Sequence, residues 1–100
     1  MRFGLTENAL KKINSVFSSF SEIEEALLYG SLAKGNFSNS SDIDIALKGA
    51  GLTLSKILKI NNKLDELSLP YTIDINLFEF IENHELTEHI QRVGQVVYKA

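Results

Sequence analysis

The stretch Leu27 to Leu47, LLYGSLAKGNFSNSSDIDIAL, constrains this chain most. An apolar run ends at Gly30-Ser31, ten residues intervene, and Asp42-Ile43-Asp44 then opens a second apolar run. Apolar runs bounded by glycine and polar clusters predict a strand over Glu25 to Tyr29 and a second over Asp42 to Lys48. Between them, Ser31 to Lys34 has the length of one helical turn, and Asn36 to Ser41 reads as a polar loop. Successive side chains on a strand alternate between faces. Ile43, Ile45 and Leu47 therefore share one face, and Asp42, Asp44 and Ala46 share the other.

Two carboxylates that close repel each other when both are ionised, unless a cation lies between them. Hard oxygen donors suit Mg²⁺ or Mn²⁺. The same Asp-x-Asp also serves a plain edge strand that uses charge against aggregation. Gly30-Ser31 leaves two readings open as well. Glycine lets backbone approach a ligand closely, and a helix starting at Ser31 would aim free N–H groups at a phosphate. The bland reading is a turn with a serine cap. Lys34 either adds positive charge near such phosphates or is an exposed helix lysine.

The remaining chain reads as support for this segment, plus one more carboxylate. Thr6 is placed to cap a helix over about Glu7 to Ser19, with Leu10, Ile13, Phe17 and Phe20 on one face. Thr53 or Ser55 caps a second helix reaching about Leu67, with a stripe of Ile57, Leu58, Asn61, Leu64 and Leu67 and with Ile60 flanking it. Pro70 stops that helix and starts an extended segment. Tyr71 to Leu77 is the third strand, with Tyr71, Ile73, Ile75 and Leu77 on one face and Thr72, Asp74 and Asn76 on the other. Phe78 to Ile81 fits no single element. Asn83 is placed to cap a last helix to about Val93, Gly94 ends it, and Val96 to Tyr98 reads as a short final strand.

Asp74 is the third candidate carboxylate. If its strand neighbours that of Asp42 and Asp44, three carboxylates converge. Two ions about 4 Å apart can then clamp an in-line phosphoryl displacement. Asp74 is also placed to take a proton from an attacking hydroxyl, although a solvated strand aspartate would look the same. His84 and His89 are five apart, which does not put them on one helical face, and they read as surface or capping residues.

Composition narrows the function classes. With 100 residues, 44% hydrophobic and 23% charged, the chain predicts one domain, residues 1–100, of ordinary globular type. Helices interspersed among the strands predict a small α/β or α+β domain with a sheet covered by helices. The net charge is −3, from 10 Lys plus Arg against 13 Asp plus Glu, with no basic block. Grip on long nucleic acid comes from Lys and Arg on phosphates, so that substrate is disfavoured. A single nucleotide held through metal ions is not. No apolar run approaches the roughly 20 residues of a membrane helix. The opening MRFGLTENALKK has no signal core, and cysteine is absent. These features fit a cytoplasmic protein.

Gly30-Ser31, ten intervening residues and Asp42-x-Asp44, followed by the Asp74 strand, together resemble the signature of the DNA polymerase β-type nucleotidyltransferase superfamily. Within it the chain is most similar to the minimal nucleotidyltransferase (MNT) proteins, the antitoxin half of HEPN/MNT toxin–antitoxin pairs. The similarity runs through LLYGSLAKG, SDIDIAL, YTIDINLFE and ELTEHIQRVGQVVYKA. The resemblance implies the polymerase β-type fold, a small mixed sheet flanked by helices, with Mg²⁺ held by Asp42 and Asp44, Asp74 as the third carboxylate, and nucleotide phosphates held at Gly30 and Ser31. It implies transfer of a nucleoside monophosphate, AMP from ATP, to a hydroxyl, with release of pyrophosphate. In the paired systems the acceptor is a tyrosine of the HEPN toxin encoded next door. One departure stands out. Such proteins often read Gly-Ser-Arg-Ala-Arg-Gly, whereas Leu32 and Lys34 here replace the two arginines. A planar bidentate phosphate donor is lost, and lysine is not its equivalent.

A chain this short has little left to bind an acceptor once the sheet is built. The acceptor surface is therefore expected from another protein or a second copy of the chain. Two alternatives stay open on the sequence. One is an antitoxin that neutralises by covering its toxin without catalysis. The other is nucleotidyl transfer to a small molecule.

Overall fold

A computed structural model describes residues 6–29, 42–69 and 72–100, and for Asp42 the backbone alone. Thr6 has extended backbone, and its hydroxyl oxygen accepts the Ala9 N–H at 3.1 Å. This satisfies one of the free donors at the start of α1, Glu7–Ser18. Ala9, Leu10, Ile13, Val16 and Phe17 form its buried face. The backbone turns at Ser19 to Glu22 and enters β1, Glu25–Tyr29. β2 spans Asp42–Lys48 and α2 spans Leu54–Asp65, capped by Thr53. β3 is Thr72–Leu77, and Phe78–Phe80 adds a short 3-10 turn. Asn83 Oδ1 accepts the N–H groups of Glu85 and Leu86 to start α3, His84–Val93. β4 is Gln95–Lys99.

Among the described residues the sheet has four strands in the order β3-β2-β1-β4. β1 lies antiparallel to both β2 and β4, while β2 and β3 run parallel. A parallel pair needs a crossover between its strands, and α2 supplies it. The sheet is therefore mixed and carries helices on both faces, as the family resemblance implies. No helix among the described residues is long and apolar enough to cross a membrane.

The two faces are covered unequally. α1 and α2 pack on the face that carries Leu28, Ile43, Ile45, Leu47, Ile75 and Leu77, giving the larger core. The opposite face carries Leu27, Tyr29 and Ala46 beneath Ile90 of α3, with Phe78, Ile81 and Leu86 packed around them. Residues 26–29 of β1 are all buried, as expected for an inner strand covered on both sides.

The structure corrects the expected stripe of α2. Ile57, Ile60 and Leu64 are its buried residues, while Leu58 is 65% exposed and Asn61 is half-buried. Positions 57, 60 and 64 define one face at steps of three and four, and 58 lies about 100° round the helix from 57. Both sets satisfy helical periodicity, and only contact with the sheet chooses between them. The helix also ends at Asp65 rather than Leu67, and Ser68 turns the backbone away at φ 53°.

Gly49 marks a close approach between the end of β2 and the entry to β1. A Cβ there would collide with the backbone carbonyl oxygen of Glu22. The adjacent Glu24 N–H donates to Lys48 O at 2.8 Å, which pins the two segments together. Gly49→Ala is expected to lower the unfolding free energy by about 1–3 kcal/mol, as overpacking against a fixed neighbour does. A urea titration checks this, and an unchanged midpoint would show that the Glu22 turn yields freely.

Candidate active site

The end of the sheet where β1 finishes and β2 and β3 begin is built from polar residues. In the parallel ladder Asp44 is the register partner of Asp74, and Asp42 that of Thr72. In the antiparallel ladder Asp44 is also the partner of Tyr29. Register partners on neighbouring strands project from the same face, with strands about 4.8 Å apart. Tyr29, Asp44 and Asp74 thus stand side by side on three consecutive strands. Position 42, two residues before Asp44, belongs to the same face.

α3 covers Leu27, Tyr29 and Ala46 on this face. Towards Asp44 and Asp74 the cover thins, leaving Asp44 half-buried and both Asp74 and Thr72 exposed. A carboxylate pair at the open end of an otherwise apolar face keeps access to water and to ligands.

Tyr29 is buried, at 8% exposure, and its hydroxyl accepts a hydrogen bond from Asn76 Nδ2 at 3.1 Å. Burial pushes the phenol pKa above its ordinary value. The Asn76 hydrogen bond opposes this, and the charges of Asp44 and Asp74 add to the rise. At neutral pH the group is therefore a protonated phenol, able to donate its own hydrogen. The native state therefore holds this proton more tightly than the unfolded chain. Its stabilising contribution is complete below the ordinary phenol pKa and fades at more alkaline pH.

The structure brings Asp44 and Asp74 together and places the backbone of Asp42 in the same corner. Gly30, Ser31, Leu32 and Lys34 lie outside the described residues, as do the short helix and polar loop read between the two strands. The chain enters that segment from Tyr29 and leaves it at Asp42, both at this end of the sheet. His84 is exposed at the start of α3 and His89 is half-buried further along it. Among the described residues, no three His, Asp or Glu side chains gather closely enough to hold a metal ion. The Asp42 side chain lies outside the described residues. The donor set of Asp44 and Asp74, two adjacent hard carboxylates on an open face, fits a small divalent cation.

Sequence reasoning placed Asn76 on the polar face but gave it no role, and it passed over Tyr29 as part of an apolar run. The usable signal was position. Tyr29 is the last residue before Gly30, and Asn76 follows Asp74 by two, so both share the carboxylate face.

Carboxylates on neighbouring strands at an open sheet end have the donor chemistry that metal-assisted phosphoryl transfer uses. The family model described as Polymerase beta, Nucleotidyltransferase matches residues 11–100. The chain belongs to the polymerase β nucleotidyltransferase family, and is a nucleotidyltransferase domain. No curated protein matches it.

Solved structures share the fold. A chain of a toxin–antitoxin complex with AMP-PNP superposes with a TM-score of 0.73 at 23% identity, covering 96% of this chain and 75% of that one. A chain from the complex of a tri-AMPylated Shewanella oneidensis HEPN toxin with MNT antitoxin gives 0.70 at 19% identity, covering 96% and 74%. A putative nucleotidyltransferase from Sulfolobus solfataricus gives 0.53 at 16% identity, covering 96% and 91%.

Proposed function

We propose that residues 1–100 form one catalytic domain that transfers AMP from ATP to a tyrosine hydroxyl of a HEPN-type toxin, and so acts as its antitoxin. The observation that carries this reading is the Asp44–Asp74 register pair on an open face, in a chain of the nucleotidyltransferase family. The neighbouring complexes support it, one holding AMP-PNP and another an AMPylated HEPN toxin.

In the reaction the acceptor oxygen attacks the α-phosphorus of ATP. The bond from that phosphorus to its bridging oxygen breaks, and pyrophosphate leaves with the electron pair. Asp42, Asp44 and Asp74 would hold Mg²⁺, with Mn²⁺ as a substitute; the cation would supply charge neutralisation for the phosphates. Asp74 is also placed to take the acceptor proton. Gly30, Ser31 and Lys34 would hold the nucleotide phosphates. The site would act in the cytoplasm, and the surface that presents the hydroxyl would come from the partner or from a second copy of this chain.

One feature favours a second reading. Leu32 replaces an arginine that would grip phosphate bidentately. A chain so altered would neutralise its toxin by binding it, with the carboxylates idle.

Incubation with α-labelled ATP, Mg²⁺ and the protein encoded by the adjacent gene separates the two. Label on that protein is expected with the wild-type chain and absent with Asp42→Asn, Asp44→Asn. A stable complex that never acquires label would replace catalysis by neutralisation through binding.

A further inference from the structure

Tyr29 and Asn76 are 47 positions apart, and their strands are not neighbours, because β2 runs between β1 and β3. Their hydrogen bond therefore spans a strand. The register shows how. Tyr29 stands opposite Asp44, whereas Asn76 stands opposite Ala46, one step further along the same face of β2. The bond runs diagonally over β2, and the residue it must clear is Ala46, fully buried in the same cluster as Tyr29. A larger side chain at position 46 would fill that space.

The chemistry of the pair has a direction. The Asn76 amide nitrogen can only donate, so it occupies a lone pair of the phenol oxygen. The phenol is left with one hydrogen to give. Its companions on this face are Asp44, directly opposite, and Asp74, the next residue across, and ionised carboxylates only accept. The bond ties β1 to β3 across the strand that carries Asp44, and so fixes the backbone positions from which Asp44 and Asp74 project, as outer hydrogen bonds do for metal-bound residues.

We propose that Tyr29 and Asn76 act as one positioning device, a latch across β2 that sets the spacing and orientation of the Asp44 and Asp74 carboxylates for the cation they hold. This rests on the metal-dependent reading above. Tyr29 and Asn76 are positioning residues: they act through the two aspartates and not on the nucleotide. The latch also explains why a hydroxyl-bearing ring, and not the smooth apolar side chain usual for an inner strand, ends β1.

The test is a Mn²⁺ titration of the whole chain, followed by electron paramagnetic resonance, at a temperature well below unfolding. Wild type, Tyr29→Phe, Asn76→Ala and the double variant are compared, with circular dichroism melts alongside. Tyr29→Phe keeps the ring and its packing, so it isolates the hydroxyl. Each single variant is expected to bind Mn²⁺ about 10-fold more weakly, and the double variant no more weakly than either single one, because the two residues form one unit. Wild-type affinity in Tyr29→Phe would overturn the latch. So would losses that multiply in the double variant, since the residues would then act separately. A wild-type chain that binds no Mn²⁺ would overturn the metal-dependent reading itself, and the latch with it.

Discussion

Asp74→Asn is expected to abolish most nucleotidyl transfer while leaving the fold intact. Asp74 is exposed on β3 and is the register partner of Asp44, so an isosteric substitution costs little packing. Asparagine keeps the shape and one acceptor oxygen but loses the charge and the ability to take a proton. On the proposed reading both losses fall on the transition state. A metal-assisted displacement draws several kcal/mol from charge stabilisation, which corresponds to about 10²–10³-fold in rate. Single-turnover transfer of labelled AMP to the partner measures it. Stability should change in the other direction: like charges directly opposite on adjacent strands destabilise a sheet, and removing one returns roughly 0.2–1 kcal/mol. A variant that is slightly more stable and nearly inactive is the expected signature. A variant with full activity would remove Asp74 from the site.

Phe17→Ala carries the largest expected effect on folding. Phe17 is fully buried on α1, and its ring meets Tyr98 of β4 at a centroid distance of 5.8 Å and an interplanar angle of 59°. It thus joins the first helix to the last strand, two elements the chain does not connect locally. Truncation removes the apolar transfer energy of the ring and leaves a cavity that rigid strands cannot collapse. Such changes cost about 3–5 kcal/mol, against a total stability of about 5–15 kcal/mol for a natural domain. In a domain of this size each kcal/mol shifts the melting temperature by about 4–8 °C. The variant should therefore melt roughly 12–40 °C lower, or fail to fold at 37 °C. A calorimetric scan decides it, and a shift of only a few degrees would mean that α1 can settle onto β4 and fill the gap.

Much of the architecture is written in local signals. Thr6 and Asn83 cap helices where the sequence places a cap, and Thr53, one of the two candidates with Ser55, caps α2, because a short oxygen-bearing side chain satisfies the free N–H groups that any helix start leaves. β1 and β2 match the apolar runs read from the sequence residue for residue. The alternation along Asp42 to Lys48 assigns its aspartates and its isoleucines to opposite faces without any knowledge of neighbours. Periodicity, by contrast, could not choose between Leu58 and Ile60 on α2. Those positions differ only in which meets the sheet.

The sequence by itself determined where helices and strands form and that Asp42 and Asp44 share a face, since caps, turns and side-chain alternation act within a few residues. The tertiary structure alone decided the strand order and the parallel register that sets Asp44 beside Asp74. It alone brought Tyr29 over Ala46 to Asn76. These are pairings between distant segments. They are selected by which apolar faces can be buried together, and a one-residue slip would turn every carboxylate to the wrong side of the sheet.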